Sequence, residues 1–288
     1  MLELIDLDIE SLNYSKFISS WLYTGEEGTF LIDPGPACTI PALFDELSRR
    51  KVEHPDWILV THIHMDHAGG IGHVIERFPD ARVACHKVAV EHLINPKRLW
   101  EGSLKVLGDV ARVYGEIKPV PAENIVSTDE VVFGKGIKVI STPGHAAHHQ
   151  CFVFKDWLFC GELFGIFHQL KDAIYLRPAT PPKFVFEDFS ESMDKVTPYM
   201  NRQICFSHYG SYPDGKKILK TAKRQLALWV EVVKNHVNDP DMEVIIEDLT
   251  RSDPVFARKK QLEEKLFDRE MYFSRNSIRG ILHYLNKH

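Results

Sequence analysis

Three histidines and an aspartate occupy four of six consecutive positions, His62-Ile63-His64-Met65-Asp66-His67, one residue after the apolar run Trp57-Ile58-Leu59-Val60. The apolar run has the length and continuity of a strand buried on both faces. Residues two apart on an extended chain point the same way, so His62 and His64 can aim two imidazoles at one point. A turn after the strand can then present Asp66 and His67 to a neighbouring point. Imidazole and carboxylate suit zinc, and iron and manganese as well, so the donors leave the metal open. The competing reading is a polar surface loop in which the four residues fall together by chance. That reading asks for a costly coincidence just ahead of the Gly69-Gly70 turn.

The flanking pattern is that of a mixed α/β protein. Residues 18–23 and 29–32 read as a hairpin across the loop Gly25-Glu26-Glu27-Gly28, and Asp33-Pro34-Gly35 ends its second strand. Ile40, Leu43, Phe44 and Leu47 fall at helical spacing, residues 69–78 read as a second helix, and Arg82-Val83-Ala84-Cys85 as a strand. Residues 91–123 are mixed and partly helical. Short strands are expected at Val131-Val132-Phe133 and at residues 137–140, 151–154 and 157–160. A stretch with Pro178, Pro181 and Pro182 then breaks regular structure before a helix at 189–200 and a strand at Ile204-Cys205-Phe206. From Asp214, a good N-cap, the positions Ile218, Ala222, Leu226, Trp229, Val233 and Val237 make an amphipathic helix. More helix is expected at 254–267 and 277–285. The resulting organisation is a catalytic domain over residues 1–212 and a helical C-terminal region over 213–288 whose apolar stripe packs on the core or on a second copy, as in a homodimer.

Composition narrows the functional classes. With 288 residues, 44% of them hydrophobic, the chain can bury a large core. Its formal net charge of −5 implies no broad basic surface, and nucleic acid is not an expected partner. Five cysteines without a CxxC spacing, three of them in apolar runs, read as buried thiols of a reducing compartment. The first residues show no basic segment followed by an apolar run, and no apolar stretch approaches the roughly 18 residues needed to cross a bilayer. The expectation is a cytoplasmic protein without a membrane partner.

His62-Ile63-His64-Met65-Asp66-His67 resembles the HxHxDH signature of metallo-β-lactamase-fold hydrolases, a superfamily that includes glyoxalase II, acyl-homoserine lactonases, nucleases and sulfur dioxygenases. Further motifs follow in the family's order. Leu31-Ile32-Asp33-Pro34-Gly35 resembles its early Asp-containing turn, and Thr142-Pro143-Gly144-His145 its strand-end histidine. Gly161-Glu162 falls where the family has Gly-Asp, and Ser207-His208-Tyr209-Gly210 resembles the last histidine motif. The resemblance covers roughly residues 15–212. Residues 61–70 and 175–182 look most like a glyoxalase II-like branch. The fold it implies is the α/β metallo-β-lactamase αββα sandwich.

Carried over residue by residue, the resemblance gives His62, His64 and His145 to a first metal and Asp66, His67 and His208 to a second. Glu162 lies between them, and Asp33 orients a ligand imidazole from behind. The implied cofactors are two divalent ions, zinc first, with iron or manganese as alternatives. Glu162 departs from the family's Asp and reaches about 1.5 Å further, so it either bridges the ions or binds one. The implied function is hydrolysis of a small-molecule ester, thioester or lactone by a bridging hydroxide, with Asp66 also handling the leaving-group proton. The alternative is an iron-dependent sulfur dioxygenase or another diiron redox protein; His64 argues against the flavin-linked diiron branch, which usually has Glu there. His148 and His149 read first as polar loop residues, and Phe164, Phe167, Tyr175 and Phe184 as core. Pocket lining is the lesser of two readings for His168, and Tyr209 either donates to a substrate oxygen or simply packs.

Overall fold

Apolar and acidic residues alternate through Leu4-Ile5-Asp6-Leu7-Asp8-Ile9, and the pleat separates them. Ile5, Leu7 and Ile9 are buried while Asp6 and Asp8 are exposed. This stretch forms β1 (Leu2–Ile9), which pairs antiparallel with β2 (Tyr14–Gly25); β2 returns through the expected hairpin into β3 (Gly28–Ile32). The computed structural model describes residues 1–129 and 136–287, so the strand expected at Val131-Val132-Phe133 lies outside the described residues. The chain divides into two compact units, residues 1–139 and 140–288.

In the first unit, β4 (Trp57–Leu59), β5 (Arg82–Cys85) and β6 (Ile125–Ser127) continue the sheet in the order β1-β2-β3-β4-β5-β6, with β3 to β6 parallel. Helices make the crossovers, as parallel neighbours require. These are α1 (Ile40–Arg49), then α2 (Met65–Ala68) and α3 (Ile71–Arg77), then α4 (Val90–Ile94), α5 (Lys97–Leu107) and α6 (Asp109–Tyr114). Ile32 pairs with Leu59 and Leu59 with Ala84, so β3 and β4 end side by side. Asp33 follows one end and the histidine string follows the other. Ligand sites in open α/β sheets form at these carboxyl ends.

The second unit holds a five-stranded sheet in the order β13-β12-β9-β8-β7. Its strands are β7 (Lys138–Ser141), β8 (Gln150–Phe154), β9 (Trp157–Phe159), β12 (Gln203–Cys205) and β13 (Ser211–Tyr212). Between β9 and β12 run the antiparallel pair β10 (Ile166–Gln169) and β11 (Ile174–Arg177), then α7 (Phe186–Lys195). Helix α8 (Gly215–Lys234) starts at Asp214, whose carboxylate accepts the Lys217 N–H at 2.9 Å. Along it Ile218, Ala222, Leu226, Trp229 and Val233 are each at most 4% exposed, so each large apolar side chain contributes about 1.5–3 kcal/mol of burial. Helices α9 (Met242–Ser252) and α10 (Glu264–Leu285) complete this unit.

Five differences from the expected elements stand out. Strand β1 and the pair β10–β11 were not anticipated, nor was α9. The helix expected at 254–267 is a 3-10 turn, Phe256–Gln261, followed by α10, which runs without interruption through the segment expected at 277–285. Asp253 sets that turn: it caps Val255 and Phe256 and accepts from Gln225 Nε2 (2.7 Å) and Trp229 Nε1 (3.0 Å). The helix expected at 189–200 begins earlier, at Phe186, and ends at Lys195 ahead of the Thr197-Pro198 turn. Among the described residues no helix is long and apolar enough to cross a membrane.

Candidate metal centre

In the first unit the donors follow β4. His64 is extended and its carbonyl accepts from His67 and Ala68, which winds Met65–Ala68 into a single helical turn. The turn reverses the chain so that the His62 and His67 rings lie 4.2 Å apart between centroids with their planes tilted by 45°, and His64 lies 4.7 Å from His62. A ring nitrogen of His62 lies within 4.8 Å of one on His64, and the Asp66 carboxylate within the same distance of His67. His62 and His67 are buried; His64 and Asp66 are half-buried, the Asp66 side chain 19% exposed.

Asp33 organises this half. Wholly buried at the end of β3, it accepts the Thr61 N–H at 2.8 Å and the Thr61 hydroxyl at 2.7 Å. Its Oδ2 lies 3.3 Å from His67 Nδ1, and since a carboxylate can only accept, His67 carries its proton on Nδ1. The Thr61 hydroxyl has spent its one proton on Asp33, so at 3.0 Å it accepts from His62 Nδ1. Both imidazoles are thereby set with the lone pair on Nε2, the form a metal requires.

In the second unit, His145 follows β7 through Thr142-Pro143-Gly144. Gly144 has φ +131, and a Cβ there would fall 2.3 Å from the Phe189 Cα, so α7 packs against a position only glycine fills. His145 Nδ1 donates to the Ala179 carbonyl at 2.9 Å, which turns Nε2 toward Glu162. That nitrogen is 2.9 Å from Glu162 Oε2. An imidazole nitrogen facing a carboxylate at this distance shares a proton or a cation with it, and the donor chemistry therefore fits a metal. His208 follows β12; its carbonyl accepts from Phe167 and the Tyr209 N–H donates to the Phe167 carbonyl, which ties the His208-Tyr209 pair to β10.

Two side chains act differently from the sequence reading. His149 is fully buried, not a loop surface residue: its Nε2 accepts the Glu162 N–H at 3.1 Å and its Nδ1 faces Thr142 Oγ1 at 2.8 Å and the Thr142 carbonyl at 3.1 Å. It positions the Glu162 backbone. The sequence signal for this was its place four residues after His145. His168 belongs to a buried cluster, accepting from Arg269 at 2.9 Å, while Glu270 pairs with Arg177 (2.6 Å) and Arg269 (3.2 Å). Burial pushes the His168 imidazole below its ordinary range, in keeping with a neutral acceptor. Phe164, Phe167, Tyr175 and Phe184 lie in the core, as expected.

Comparison with known proteins places these motifs in a family. The profile of the metallo-beta-lactamase superfamily matches residues 15–197. The metallo-beta-lactamase fold-containing protein ST1585 of Sulfurisphaera tokodaii is 27% identical over 69% of this chain and 75% of its own. The hydroxyacylglutathione hydrolase of Klebsiella pneumoniae is 28% identical over 49% of this chain and 45% of its own. Among solved structures, ST1585 superposes with a TM-score of 0.70 over 100% of this chain and 98% of that one, at 21% identity. The family protein TTHA1429 of Thermus thermophilus gives 0.66 over 99% and 93%, at 20% identity. By sequence profile and by its α/β fold, the chain belongs to the metallo-beta-lactamase superfamily.

Proposed function

We propose that this protein is a metal-dependent hydrolase of a small-molecule ester, thioester or lactone. The observation that carries this reading is the tautomer set: His62, His67 and His145 are each anchored through Nδ1 and present Nε2. In the proposed centre His62, His64 and His145 would hold one divalent ion and Asp66, His67 and His208 a second, with Glu162 between them. When bound, such a pair supplies Lewis acidity and lowers the pKa of water toward neutrality. Zinc is the first expectation, with iron or manganese as alternatives. Asp66, a half-buried donor, would also carry the proton to the leaving group. Asp33, Thr61, Ala179 and His149 hold the donors in place.

The relatives named hydroxyacylglutathione hydrolase and, in Methanocaldococcus jannaschii, probable metallo-hydrolase MJ0888 support hydrolysis and a glyoxalase II-like branch. Residues 1–212 would carry the catalysis and 213–288 brace it. Five cysteines present as thiols support a cytoplasmic setting. The reading assigns no role to nucleic acid or membrane and leaves room for a homodimer.

The test is metal quantification on protein isolated anaerobically and again after metal addition, with a panel of ester, lactone and thioester substrates and an oxygen electrode. Two ions per chain with hydrolysis is the expected result. One ion at saturation would end the dinuclear reading and point to Glu162. Bound iron with oxygen uptake and no hydrolysis would replace it with a sulfur dioxygenase or other redox member of the fold.

A further inference from the structure

The carbonyl that fixes His145 belongs to a short strap leaving β11, Pro178-Ala179-Thr180-Pro181-Pro182, with three prolines in five residues. Proline fixes φ and offers no N–H, so the strap is stiff but has few backbone donors with which to anchor itself. Its anchors come from the C-terminal helix α10. Ser277 Oγ donates to the Pro178 carbonyl at 3.1 Å, and Thr180 Oγ1 donates to the Ser277 carbonyl at 2.9 Å. Arg177, paired with Glu270 of the same helix at 2.6 Å, reaches the Pro178 carbonyl at 3.3 Å and Ser277 Oγ at 3.4 Å. These bonds bracket Ala179 on both sides, and Thr180 and Ser277 are at most 4% exposed.

One turn along α10 is Gly280. A Cβ at this position would fall 1.9 Å from the Thr180 carbonyl oxygen and 2.8 Å from that of Pro181. Glycine inside a helix costs about 1 kcal/mol relative to alanine, and α10 would be more stable as a helix without it. What the glycine supplies is close approach, letting the helix backbone lie directly on the strap.

We propose that the Ser277–Gly280 face of α10 is a positioning element for the metal ligand His145, acting through the strap and the Ala179 carbonyl. This rests on the reading of His145 as a metal ligand. The chain of contacts runs from helix backbone to strap backbone to imidazole Nδ1, so a shift of the helix face moves the oxygen that orients the ring. The C-terminal region thereby acts on the metal centre without contributing a ligand to it.

The experiment uses the full-length protein with Gly280→Ala, Ser277→Ala and Thr180→Val, with His145→Ala as reference and Gly102→Ala as control. Gly102 lies in α5, where an added Cβ meets nothing within 4 Å. Zinc affinity is read by chelator competition, the ligand field by the visible d–d bands of the cobalt-loaded protein, and the metal-free fold by circular dichroism and thermal melting. Gly280→Ala is expected to weaken one of the bound ions by about 10-fold, the low end for outer-shell partners, and to shift the cobalt bands. Ser277→Ala and Thr180→Val should move both readouts in the same direction by less, and Gly102→Ala should move neither. If Gly280→Ala does not fold, the two milder variants decide. A lowered melting temperature with unchanged zinc affinity and cobalt bands would overturn the proposal, because a purely structural contact behaves that way. Unchanged affinity in His145→Ala would overturn the ligand reading itself, and this inference with it.

Discussion

Asp33→Asn separates holding the fold from tuning the ligands. The amide keeps the shape of the carboxylate and can still accept the Thr61 N–H through its oxygen. Its NH2, however, replaces Oδ2, to which both the Thr61 hydroxyl and His67 Nδ1 donate. Two donors would then face a donor. The hydroxyl can rotate, but His67 must either swing away or move its proton to Nε2, the nitrogen a metal needs. Hydrogen bonds to a charged acceptor contribute about 1.5–3 kcal/mol each and neutral ones about 1 kcal/mol. Exchanging this pair should therefore cost the metal-free protein about 1–3 kcal/mol. At about 2–4 °C per kcal/mol for a chain of this order of size, the melting temperature falls by roughly 2–12 °C. The ion assigned to His67 should bind 10–100-fold more weakly, which is about 1.4–2.8 kcal/mol. Calorimetric melting in chelator and competition titration of zinc measure the two effects separately. Wild-type zinc affinity in a variant whose melting has dropped as expected would refute the tautomer argument and leave Asp33 a structural residue.

Three further outcomes are expected. Glu162→Gln should lower affinity for the weaker ion by at least 10–100-fold and Glu162→Asp by less; equal affinity in wild type and Glu162→Gln, by titration, would remove Glu162 from the ligand set. Asp66→Ala should abolish most turnover on whichever substrate the panel identifies. Asp214→Ala, which deletes a helix cap worth about 1 kcal/mol, should retain it, and near-normal kcat in Asp66→Ala would refute the proton-handling role. Glu270 is buried, which opposes its ionisation, yet the charges of Arg177 and Arg269 hold it well below the usual carboxylate range. Its folded pKa is depressed, so its contribution is complete above the unfolded value of about 4.3 and fades as pH falls below it. Denaturant melts from pH 6 to 2 should show a steep acid limb that Glu270→Gln flattens, and an unchanged limb would show that the cluster does not govern acid stability.

The candidate donors were legible because their order and spacing are local. The string from His62 to His67, the Asp33 turn, His145 and the capped start of α8 can each be read within a few positions. What the sequence hid depends on distant partners. The place of His149 four residues after His145 hints at a supporting role but does not name its partner, because the contact with the Glu162 N–H forms only when the turns after β7 and β9 come together. The pair β10–β11 was obscured by the prolines that follow it. Helix α10 was divided in the reading because its charged residues Arg269 and Glu270 look like surface and are in fact buried against each other. Its outer half was judged by Ser277 and Leu285, and the middle carried no apolar stripe strong enough to join the pieces. Strand β1 alternates plainly, but a period of two over a few residues with acids at every second place also fits a solvated leader.

The Nδ1 protons of His62, His67 and His145 have a consequence for speed. Each ring is locked by Thr61, Asp33 or Ala179, and orienting it is paid for by folding rather than by the arrival of an ion. A free imidazole must shed one of two tautomers and settle its rotamer before it can coordinate. Here that sorting is finished beforehand for three rings, so at those positions the arrival of an ion becomes a matter of encounter and desolvation.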